Sequence, residues 1–192
     1  MARRASQNLK LKPTIVIFTE GITEAIYFER LNQVCNTKIR VRPITQTRQG
    51  LDLIYNAKKQ IKEKNGKLGG FKIERVYICF DYDEITDEEL KSCKDLADSL
   101  DYKLIFSNRS IEVWLLLHFE HITGPLSQDQ LILKLTKHLK QPYDKTSRKQ
   151  IEKIIDNLSN AINNSSNMCE DIVFDSNPYT NFRWAIKEIY RI

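Results

Sequence analysis

Carboxylates follow two apolar, β-prone runs of this chain at the points where the runs end. Glu20 comes directly after residues 14–19 (TIVIFT), and Asp81 and Asp83 come after residues 76–80 (VYICF). In an open α/β sheet the carboxyl ends of neighbouring strands border one crevice, so these acids can converge although they lie far apart in sequence. Clustered carboxylates repel one another unless a cation lies between them, and oxygen ligands suit Mg²⁺ or Mn²⁺. The sequence therefore predicts a divalent-metal site formed by Glu20, Asp81 and Asp83.

The chemistry expected of such a site is phosphodiester hydrolysis, because a bound divalent ion polarises the phosphoryl oxygen and stabilises the charge that develops on it. Asp81 and Asp83 are expected to ligate the metal, and Glu20 to complete its coordination or act as a base. A solvated loop acid is the alternative for Glu20. Gly21 supports Glu20 by letting the backbone turn. Glu24 is a supporting candidate whose position is equally explained by the favourable interaction of an acid with a helix N-terminus.

A third candidate region is the apolar segment 111–119, in which Glu112 and His118 are the ionisable residues. A buried charge is costly unless it is paired or functional. Six helical residues turn the chain by about 240° beyond one full turn, so the two side chains do not share a face and cannot form a zinc pair of the HExxH type. His118 is a candidate catalytic acid or phosphate contact, with a hydrogen-bonded core histidine as the alternative. Glu112 is a supporting candidate that orients a backbone amide or Arg109.

The elements that must position these residues alternate between short strands and helices. Strands are expected at residues 15–18, 38–44, 74–80 and 102–106, and helices at 23–34, at 51–64, from 86, and at 111–119. Parallel neighbours need crossover connections, so this alternation predicts an α/β fold with a mostly parallel four-stranded sheet flanked by helices. Residues 13–192 are expected to form a single domain, with an α/β core at 13–121 and a C-terminal helical appendix at 122–192. Residues 1–12 are polar and basic and are expected to be a flexible arm.

Length, charge and composition restrict the class of protein. The 192 residues suffice for one well-buried domain, and a hydrophobic content of 41% excludes wholesale disorder. The net charge of +5 and the pI near 8.9 permit a nucleic-acid partner without requiring one. The residues predicted to contact nucleic acid are Arg40, Arg42, Arg48 and Lys149, and basic side chains that serve solubility alone are the alternative.

The cysteines and the apolar runs bear on the cellular compartment. The four cysteines lie far apart without a CxxC pair, which favours a reducing cytosol. The longest apolar run, residues 113–119, is too short to cross a bilayer, and the basic N-terminus is not followed by the apolar core of a secretory signal. We therefore expect a cytoplasmic protein without a membrane segment.

Four dispersed motifs resemble, in the same order, those of the RloB-like family. They are residues 20–28 (EGITEAIYF), residues 81–83 (DYD), Ser107-Asn108 with residues 112–119 (EVWLLLHF), and residues 177–180 (NPYT). The resemblance extends from Pro13 to the last helix, and it makes Asn108 a further supporting candidate. Arg109 and Ile111 stand where the family usually has a proline and an aromatic residue, so the family's turn is not carried over to this position.

Members of the RloB-like family look like minimal TOPRIM-type domains. The resemblance implies a TOPRIM-like fold in which a glutamate after the first strand and an Asp-x-Asp pair after a later strand hold Mg²⁺ for phosphodiester chemistry. These roles carry over to Glu20, Asp81 and Asp83. The resemblance also implies an association with restriction and phage-defence loci, often beside an ATPase partner.

The leading hypothesis for the function is metal-dependent cleavage of nucleic acid. One alternative is a non-catalytic metal- and partner-binding subunit of a defence complex with an ATPase. A nucleotidyl transferase related to primases ranks last, because the chain has no recognisable zinc-binding module. The sequence leaves open the choice between DNA and RNA and the choice between a monomer and a homodimer.

Overall fold

The structure of the protein is a computed structural model, which describes residues 14–35, 39–68, 71–82, 85–173 and 176–192. The basic arm predicted for residues 1–12 and the predicted metal ligand Asp83 lie outside these residues. In chain order the elements are β1 (Thr14–Thr19), α1 (Ile22–Val34), β2 (Arg40–Thr45), α2 (Gly50–Glu63), β3 (Lys67–Leu68), β4 (Phe71–Asp81), α3 (Asp87–Ser99), β5 (Tyr102–Asn108), α4 (Ile111–Leu117), α5 (Gln128–Leu139), α6 (Arg148–Ile155), α7 (Leu158–Asn164), β6 (Tyr179–Thr180) and α8 (Phe182–Tyr190).

The strands within the described residues form a six-stranded sheet in the order β2-β1-β4-β5-β6, with β3 paired antiparallel to β4. The strands β2, β1, β4 and β5 run parallel, and β6 pairs antiparallel with β5. The prediction of a mostly parallel sheet flanked by helices is therefore confirmed. The sequence did not reveal β3 and β6, because each has two residues and is too short to show a hydrophobic period.

The direction in which the sheet grows reverses between β1 and β4. From β1 the chain crosses through α1 to β2 at one edge, and it then returns through α2 to β4 on the other side of β1 and continues outward to β5. Ligands of open α/β sheets bind beyond the carboxyl ends of the strands at such a point. The register pairs Thr19 with Cys79, so β1 and β4 end side by side. Glu20 and Asp81 therefore leave the sheet at its expected ligand-binding crevice.

Helices cover both faces of the sheet, which explains the uninterrupted apolar sequence of β1. Ile15 and Ile17 belong to a core shared with α1, α4 and the C-terminal helices, whereas Val16 and Phe18 belong to a second core shared with α2 and α3. A strand that is buried on both faces does not alternate between apolar and polar residues. Cys79 is fully buried in the first core, as its position in an apolar strand predicts.

The C-terminal third of the chain is mostly helical and packs on the α/β core. The helices α5 and α7 pack against α4, and α6 packs against α1. Ser127 and Ser147 begin α5 and α6 by accepting hydrogen bonds from the backbone N–H groups of Gln130 and Gln150, as the sequence predicts. The chain then returns to the sheet through β6, which the expectation of a purely helical appendix did not include.

The lengths of the helices bear on membrane insertion. The longest helix that the structure describes, α2, has 14 residues, whereas a bilayer-spanning helix needs about 20. None of the helices that the structure describes combines the length and the apolar character that a membrane span requires.

Candidate active site

Glu20 and Asp81 lie next to each other at the carboxyl ends of β1 and β4. The Asp81 backbone N–H donates a hydrogen bond to Oε2 of Glu20 over 3.5 Å, and the Glu20 backbone N–H donates to the Cys79 carbonyl over 3.0 Å. Gln49, which precedes α2, donates from Nε2 to Oε1 of Glu20 over 2.7 Å. The structure therefore brings together the two predicted metal ligands that it describes.

Glu24 joins these acids from the first turn of α1. Its side chain is buried, with 3% exposure, and its Oε2 has no hydrogen-bond partner within the described residues. Gly21, the N-cap of α1, makes room for this carboxylate, because a Cβ atom at residue 21 would lie 2.5 Å from Oε2 of Glu24. Gly21 has an extended backbone, so its importance here is the space it leaves rather than a special conformation.

A cavity of about 210 Å³, which we call the acid cavity, lies between these acids and the beginning of α4. Four carboxylate residues line it, namely Glu20, Glu24, Asp81 and Glu112, and Lys145 lines it from the loop between α5 and α6. One water molecule takes up about 30 Å³ of liquid volume. The acid cavity therefore has space for a metal ion together with several waters or a phosphoryl group.

Burial and mutual repulsion disfavour the ionised forms of two of these acids. Burial, with repulsion from Glu112 and Glu20, raises the pKa of Glu24 to about 7. Burial, followed by the charge of Glu24, raises the pKa of Asp81 well above its usual range. A hydrogen bond from the Ile111 backbone N–H acts on the pKa of Asp81 in the opposite direction. A cation in the acid cavity would relieve both the burial penalty and the repulsion.

Among the four acids that line the acid cavity, Glu112 has several hydrogen-bond partners, and its side chain is buried, with 1% exposure. It accepts hydrogen bonds from Ser110 Oγ at 2.7 Å, Gln128 Nε2 at 3.1 Å and the Tyr143 hydroxyl at 3.1 Å, and Lys145 Nζ lies 3.8 Å away. These partners are side chains, whereas we expected a backbone amide or Arg109. Glu112 thus connects the beginning of α4 with α5 and with the loop that follows it.

Lys145 was one of many basic residues that the sequence offered as backbone contacts, and nothing in the sequence indicated its place in the acid cavity. Its carbonyl oxygen accepts a hydrogen bond from Thr23 Oγ1 over 3.1 Å, across 122 residues of sequence. Its side chain is 57% exposed and extends towards Glu112. Lys145 stands in a polar loop of ordinary composition, so no local pattern distinguishes it from other surface lysines. The same holds for Ser110, Gln128 and Tyr143, which reach the site only through the tertiary fold.

The donor chemistry of the acid cavity fits a hard divalent cation. Asp81 Oδ1 and Glu24 Oε2 are buried carboxylate oxygens that have no hydrogen-bond partner among the described residues, and Mg²⁺ and Mn²⁺ prefer such ligands. The part of the chain that the structure describes contains no group of three or more His, Cys, Asp or Glu side chains already arranged to hold a metal ion. Asp83, the remaining predicted ligand, lies two positions beyond Asp81 and outside that part.

His118 packs against the core residues Tyr27 and Trp114 and does not line the acid cavity. It is fully buried, with Nε2 at 3.1 Å from the Tyr27 hydroxyl and Nδ1 at 3.0 Å from the Trp114 carbonyl oxygen. A carbonyl can only accept, so Nδ1 carries the proton and Nε2 accepts from Tyr27. Burial lowers the pKa of His118 to about 4, which keeps the ring neutral at pH 7. The structure therefore favours the core histidine over the predicted acid or phosphate contact.

Asn108 is buried at the end of β5, where its backbone pairs with Tyr179 of β6. The peptide bond between Asn108 and Arg109 is cis. Ser110 and Ile111, which follow Arg109, line the acid cavity, whereas Asn108 does not. In this position Asn108 holds the end of β5 in the sheet, and its supporting role at the site stays a prediction.

The predicted nucleic-acid contacts are spread over different parts of the surface. Arg40 and Arg42 lie on the edge strand β2, and Lys149 is exposed on α6. Arg48 is exposed and lines a second, open groove of about 890 Å³, which shares Glu20 with the acid cavity. We call this second space the outer groove. Of the four predicted contacts, Arg48 is the one that the structure places beside the acids.

Comparison with protein families gives a match over nearly the whole chain. The chain matches the family described as RloB-like protein over residues 15–189, which is nearly its whole length. The matched region includes the strand ends that carry Glu20 and Asp81 and the C-terminal helices around the acid cavity. Comparisons with curated proteins and with solved structures found no match. On the extent of the family match, this chain belongs to the RloB-like family.

Proposed function

We propose that this RloB-like protein is a Mg²⁺- or Mn²⁺-dependent phosphodiesterase that cleaves nucleic acid. The observation that carries the proposal is the pair of unpartnered, buried carboxylate oxygens, Asp81 Oδ1 and Glu24 Oε2, where the direction of the sheet reverses. Burying unpaired charge is unfavourable, so a fold that places two such groups beside one cavity gains from binding a cation there. The net charge of +5 favours a polyanionic substrate, and the exposed Arg48 offers a basic contact in an outer groove that Glu20, Asp52 and Glu89 also line.

Asp81 and Glu24 would hold the metal through their unpartnered oxygens, and Asp83 would complete the ligand set. A bound divalent ion polarises a phosphoryl oxygen and makes a coordinated water more acidic. Glu20 stands where the acid cavity meets the outer groove, and Gln49 orients its carboxylate. From this position Glu20 would hold the attacking water and accept its proton, or complete the metal coordination.

Lys145 would supply positive charge on the substrate side. It is the basic residue among the described residues that line the acid cavity. Thr23 fixes its backbone, and the buried Glu112 holds its ammonium group at 3.8 Å. An ammonium group that is held in place beforehand stabilises the charge that develops on a phosphoryl oxygen in the transition state.

A comparison of carboxamide variants tests the proposal. Asp81→Asn and Glu24→Gln keep the side-chain volume and remove the negative charge, and Asp98→Asn on the exposed surface of α3 is the matched control. Calorimetric titration with Mg²⁺ and Mn²⁺ measures binding. Incubation with single- and double-stranded DNA and RNA, with a chelator blank, measures cleavage.

We expect Asp81→Asn to lower cleavage by about 100-fold or more, because it removes a charge that acts directly on the metal. Both Asp81→Asn and Glu24→Gln should weaken metal binding by about 10- to 100-fold. Asp98→Asn should behave like the parent chain. Undiminished cleavage by both site variants would remove the proposal.

A non-catalytic metal- and partner-binding subunit that acts with an ATPase is the second candidate function. The observation that favours it is that, among the described residues, no three or more His, Cys, Asp or Glu side chains are already arranged to hold a metal ion. An ion held by fewer protein ligands keeps more of its water and can serve a structural role. Metal binding that raises thermal stability without cleavage of any of the four substrates would favour this function over hydrolysis.

The biological setting is a proposal of its own. We propose a role in restriction or phage defence on the family resemblance, and a cytosolic location on the four free cysteines. The measurement is the plaquing efficiency of phages on cells that carry the parent gene or its Asp81→Asn variant, and equal plaquing on both would count against the defence role.

A further inference from the structure

We infer that the exposed face of α2 is a track for single-stranded nucleic acid, with Tyr55 as a stacking platform for a base. The inference rests on the proposed function and names the substrate form that the acid cavity would receive. It is carried by a different part of the molecule, so it can fail or succeed separately from the metal site.

The two faces of α2 differ sharply in chemistry. Leu53, Ile54 and Ala57 are buried against the sheet. The opposite face carries Tyr55, which is 53% exposed and one of the few large hydrophobic side chains so exposed within the described residues. Exposed lysines follow it along the helix, at positions 58, 59 and 62, and the exposed Asp52 precedes it. An exposed aromatic ring among lysines offers both components of single-strand binding, which are a surface for base stacking and charges for the phosphates.

The spacing along α2 aligns these side chains with the outer groove. One face of α2 begins at Asp52. Tyr55, Lys59 and Lys62 follow it at distances of three, seven and ten residues, and this spacing places all four side chains on the same face. Asp52 itself lines the outer groove together with Arg48 and Glu20. The face therefore continues from the outer groove for about 15 Å along the helix, at about 1.5 Å per residue.

The lysines along this helix favour a phosphate backbone. Lys58, Lys59 and Lys62 follow one another along α2, and Arg48 lies at the groove end, where Glu20, Asp52 and Glu89 also line the outer groove. Lys59 lies 3.9 Å from Glu63, but both side chains are mostly exposed, so this pair is weak and exchanges readily for a phosphate. A strand on the lysines of α2 would be directed towards Glu20 and the acid cavity.

Tyr55 gives the track its preference for unpaired strands. Lysines attract any nucleic acid, because phosphates are present in every form. A base can stack on an exposed tyrosine only when it is not already stacked within a duplex. A helix face with lysines alone would bind single and double strands alike, whereas the ring of Tyr55 adds binding energy only to the single strand.

Binding measurements on a cleavage-deficient background test this inference. All chains carry Asp81→Asn and are titrated without divalent metal against a fluorescent 12-nucleotide DNA, its RNA equivalent and the corresponding duplexes. The variants are Tyr55→Ala, Tyr55→Phe and the double variant Lys59→Ala/Lys62→Ala. Leu133→Ala is the matched control, because Leu133 is 54% exposed on α5 and away from the track.

We expect Tyr55→Ala to weaken single-strand binding by about 10- to 100-fold and to leave duplex binding unchanged. Tyr55→Phe, which keeps the ring, should bind like the parent chain. The double lysine variant should weaken binding of every form and lower the slope of log affinity against log salt by about two, roughly one per lysine. Leu133→Ala should have no effect.

Three results would overturn the inference: unchanged single-strand affinity in Tyr55→Ala, an equal loss for duplexes, or no nucleic-acid binding by the parent. These results are separable from the test of the metal site. Metal-dependent cleavage that Asp81→Asn abolishes, together with a silent Tyr55→Ala variant, would leave the proposed function in place and remove the track. Tyr55-dependent binding without any cleavage would leave the track in place and remove the proposed function.

Discussion

Glu24 is a residue whose burial is unfavourable for stability and favourable for cation binding. It is 3% exposed, and its Oε2 has no partner among the described residues. A buried polar group without a hydrogen bond costs about 1–3 kcal/mol, and a charged one costs more. A divalent ion in the acid cavity would remove this penalty, so we expect metal binding and folding stability to be coupled.

The raised pKa of Glu24 predicts how the stability of the metal-free protein depends on pH. The pKa is 4.5 for the unperturbed side chain and about 7 in the folded protein, so between these pH values the folded state binds the additional proton. The free energy of unfolding therefore falls as the pH rises through this range. At about 1.4 kcal/mol per pKa unit, the contribution of Glu24 amounts to about 3 kcal/mol. We therefore expect the free energy of unfolding of Glu24→Gln to rise by about that amount, relative to that of the parent, from pH 5 to pH 8. Urea unfolding with a chelator present measures this difference.

The control for this prediction is Glu29→Gln, a partly exposed carboxylate on the same helix that pairs with Arg148. Removing this exposed ion pair should change the free energy of unfolding by about 1 kcal/mol or less. A second measurement adds Mg²⁺, which should stabilise the parent more at pH 8 than at pH 5, because binding requires the ionised carboxylates. A constant difference between Glu24→Gln and the parent across the whole range would contradict the coupling.

Lys145 offers a second prediction at the scale of a single residue. Lys145→Met keeps most of the side-chain length and removes the charge 3.8 Å from Glu112. If Lys145 contacts the phosphoryl group, the variant should lose cleavage by about 100-fold while it still binds Mg²⁺, since lysine is not a ligand. Turnover under substrate saturation and calorimetric metal affinity separate the two effects.

Lys137→Met, on the exposed surface of α5, is the matched control for Lys145→Met and should retain full activity. Retained turnover in Lys145→Met would show that the lysine only balances the charge of Glu112. A merely structural role would instead lower the thermal midpoint together with the activity.

At the scale of elements, the edge of the sheet beside the site is completed by β6 and the residue that follows it. Oδ1 of Asn181 accepts a hydrogen bond from the Phe106 backbone N–H over 2.8 Å, and Nδ2 donates to the Leu104 carbonyl over 3.0 Å. The side chain thus replaces a strand neighbour for β5. Since Asp81 pairs with Ser107 of β5, this edge supports the strand that carries the metal ligand.

We expect Asn181→Ala to lower the free energy of unfolding by about 2 kcal/mol, because it leaves two backbone groups of β5 without partners. Urea unfolding measures the loss. Asn163→Ala, on the exposed surface of α7, should change stability by less than about 0.5 kcal/mol. Equal stability of the two variants would mean that water satisfies the freed backbone groups.

The elements also show which parts of the site a sequence can predict. Glu20 and Asp81 were predictable because an apolar run, an acid and the geometry of parallel strands suffice to place a side chain at a crevice. The sequence left His118 open between a core histidine and a catalytic residue, because a helical period gives the face of a residue but not what covers that face. Glu24 was left open between a supporting site acid and a helix N-terminal acid, and only the packing of α1 reveals that its carboxylate is buried.

The partners of the acids lie beyond any local pattern. The capping motif at Ser127 predicts that a helix begins there, but it does not predict that Gln128 donates to Glu112. Lys145 is positioned by Thr23 across 122 residues, and such contacts depend on how the C-terminal helices dock on the sheet. The two-residue strand β6 is invisible to periodicity for the same reason, since its pairing is entirely non-local.

At the scale of the whole molecule, the acid cavity is shared between the α/β core and the C-terminal helical part. Residues up to 121 supply Glu20, Glu24 and Asp81, and the later residues supply Gln128 and Lys145. The helices α5 and α7 pack against α4, which is buried along its whole length. The two parts are therefore expected to depend on each other for folding as well as for the site.

We predict that the chain unfolds in one cooperative transition. Trp114 on α4 stacks on Phe182 of α8 and reports on the contact between the two parts, whereas Trp184 on α8 reports on the C-terminal part. The variants Trp184→Phe and Trp114→Phe give two single-tryptophan chains. For each variant, the urea midpoint from tryptophan fluorescence is compared with the midpoint from far-UV circular dichroism. We expect the two midpoints to coincide, because separating the two parts would expose the apolar surface of α4. A C-terminal part that melted before the core in either variant would show that the acid cavity can open without global unfolding. In that case Lys145 would reach the acid cavity only when the C-terminal helices dock on the core. Cleavage should then fall at urea concentrations where the core is still folded.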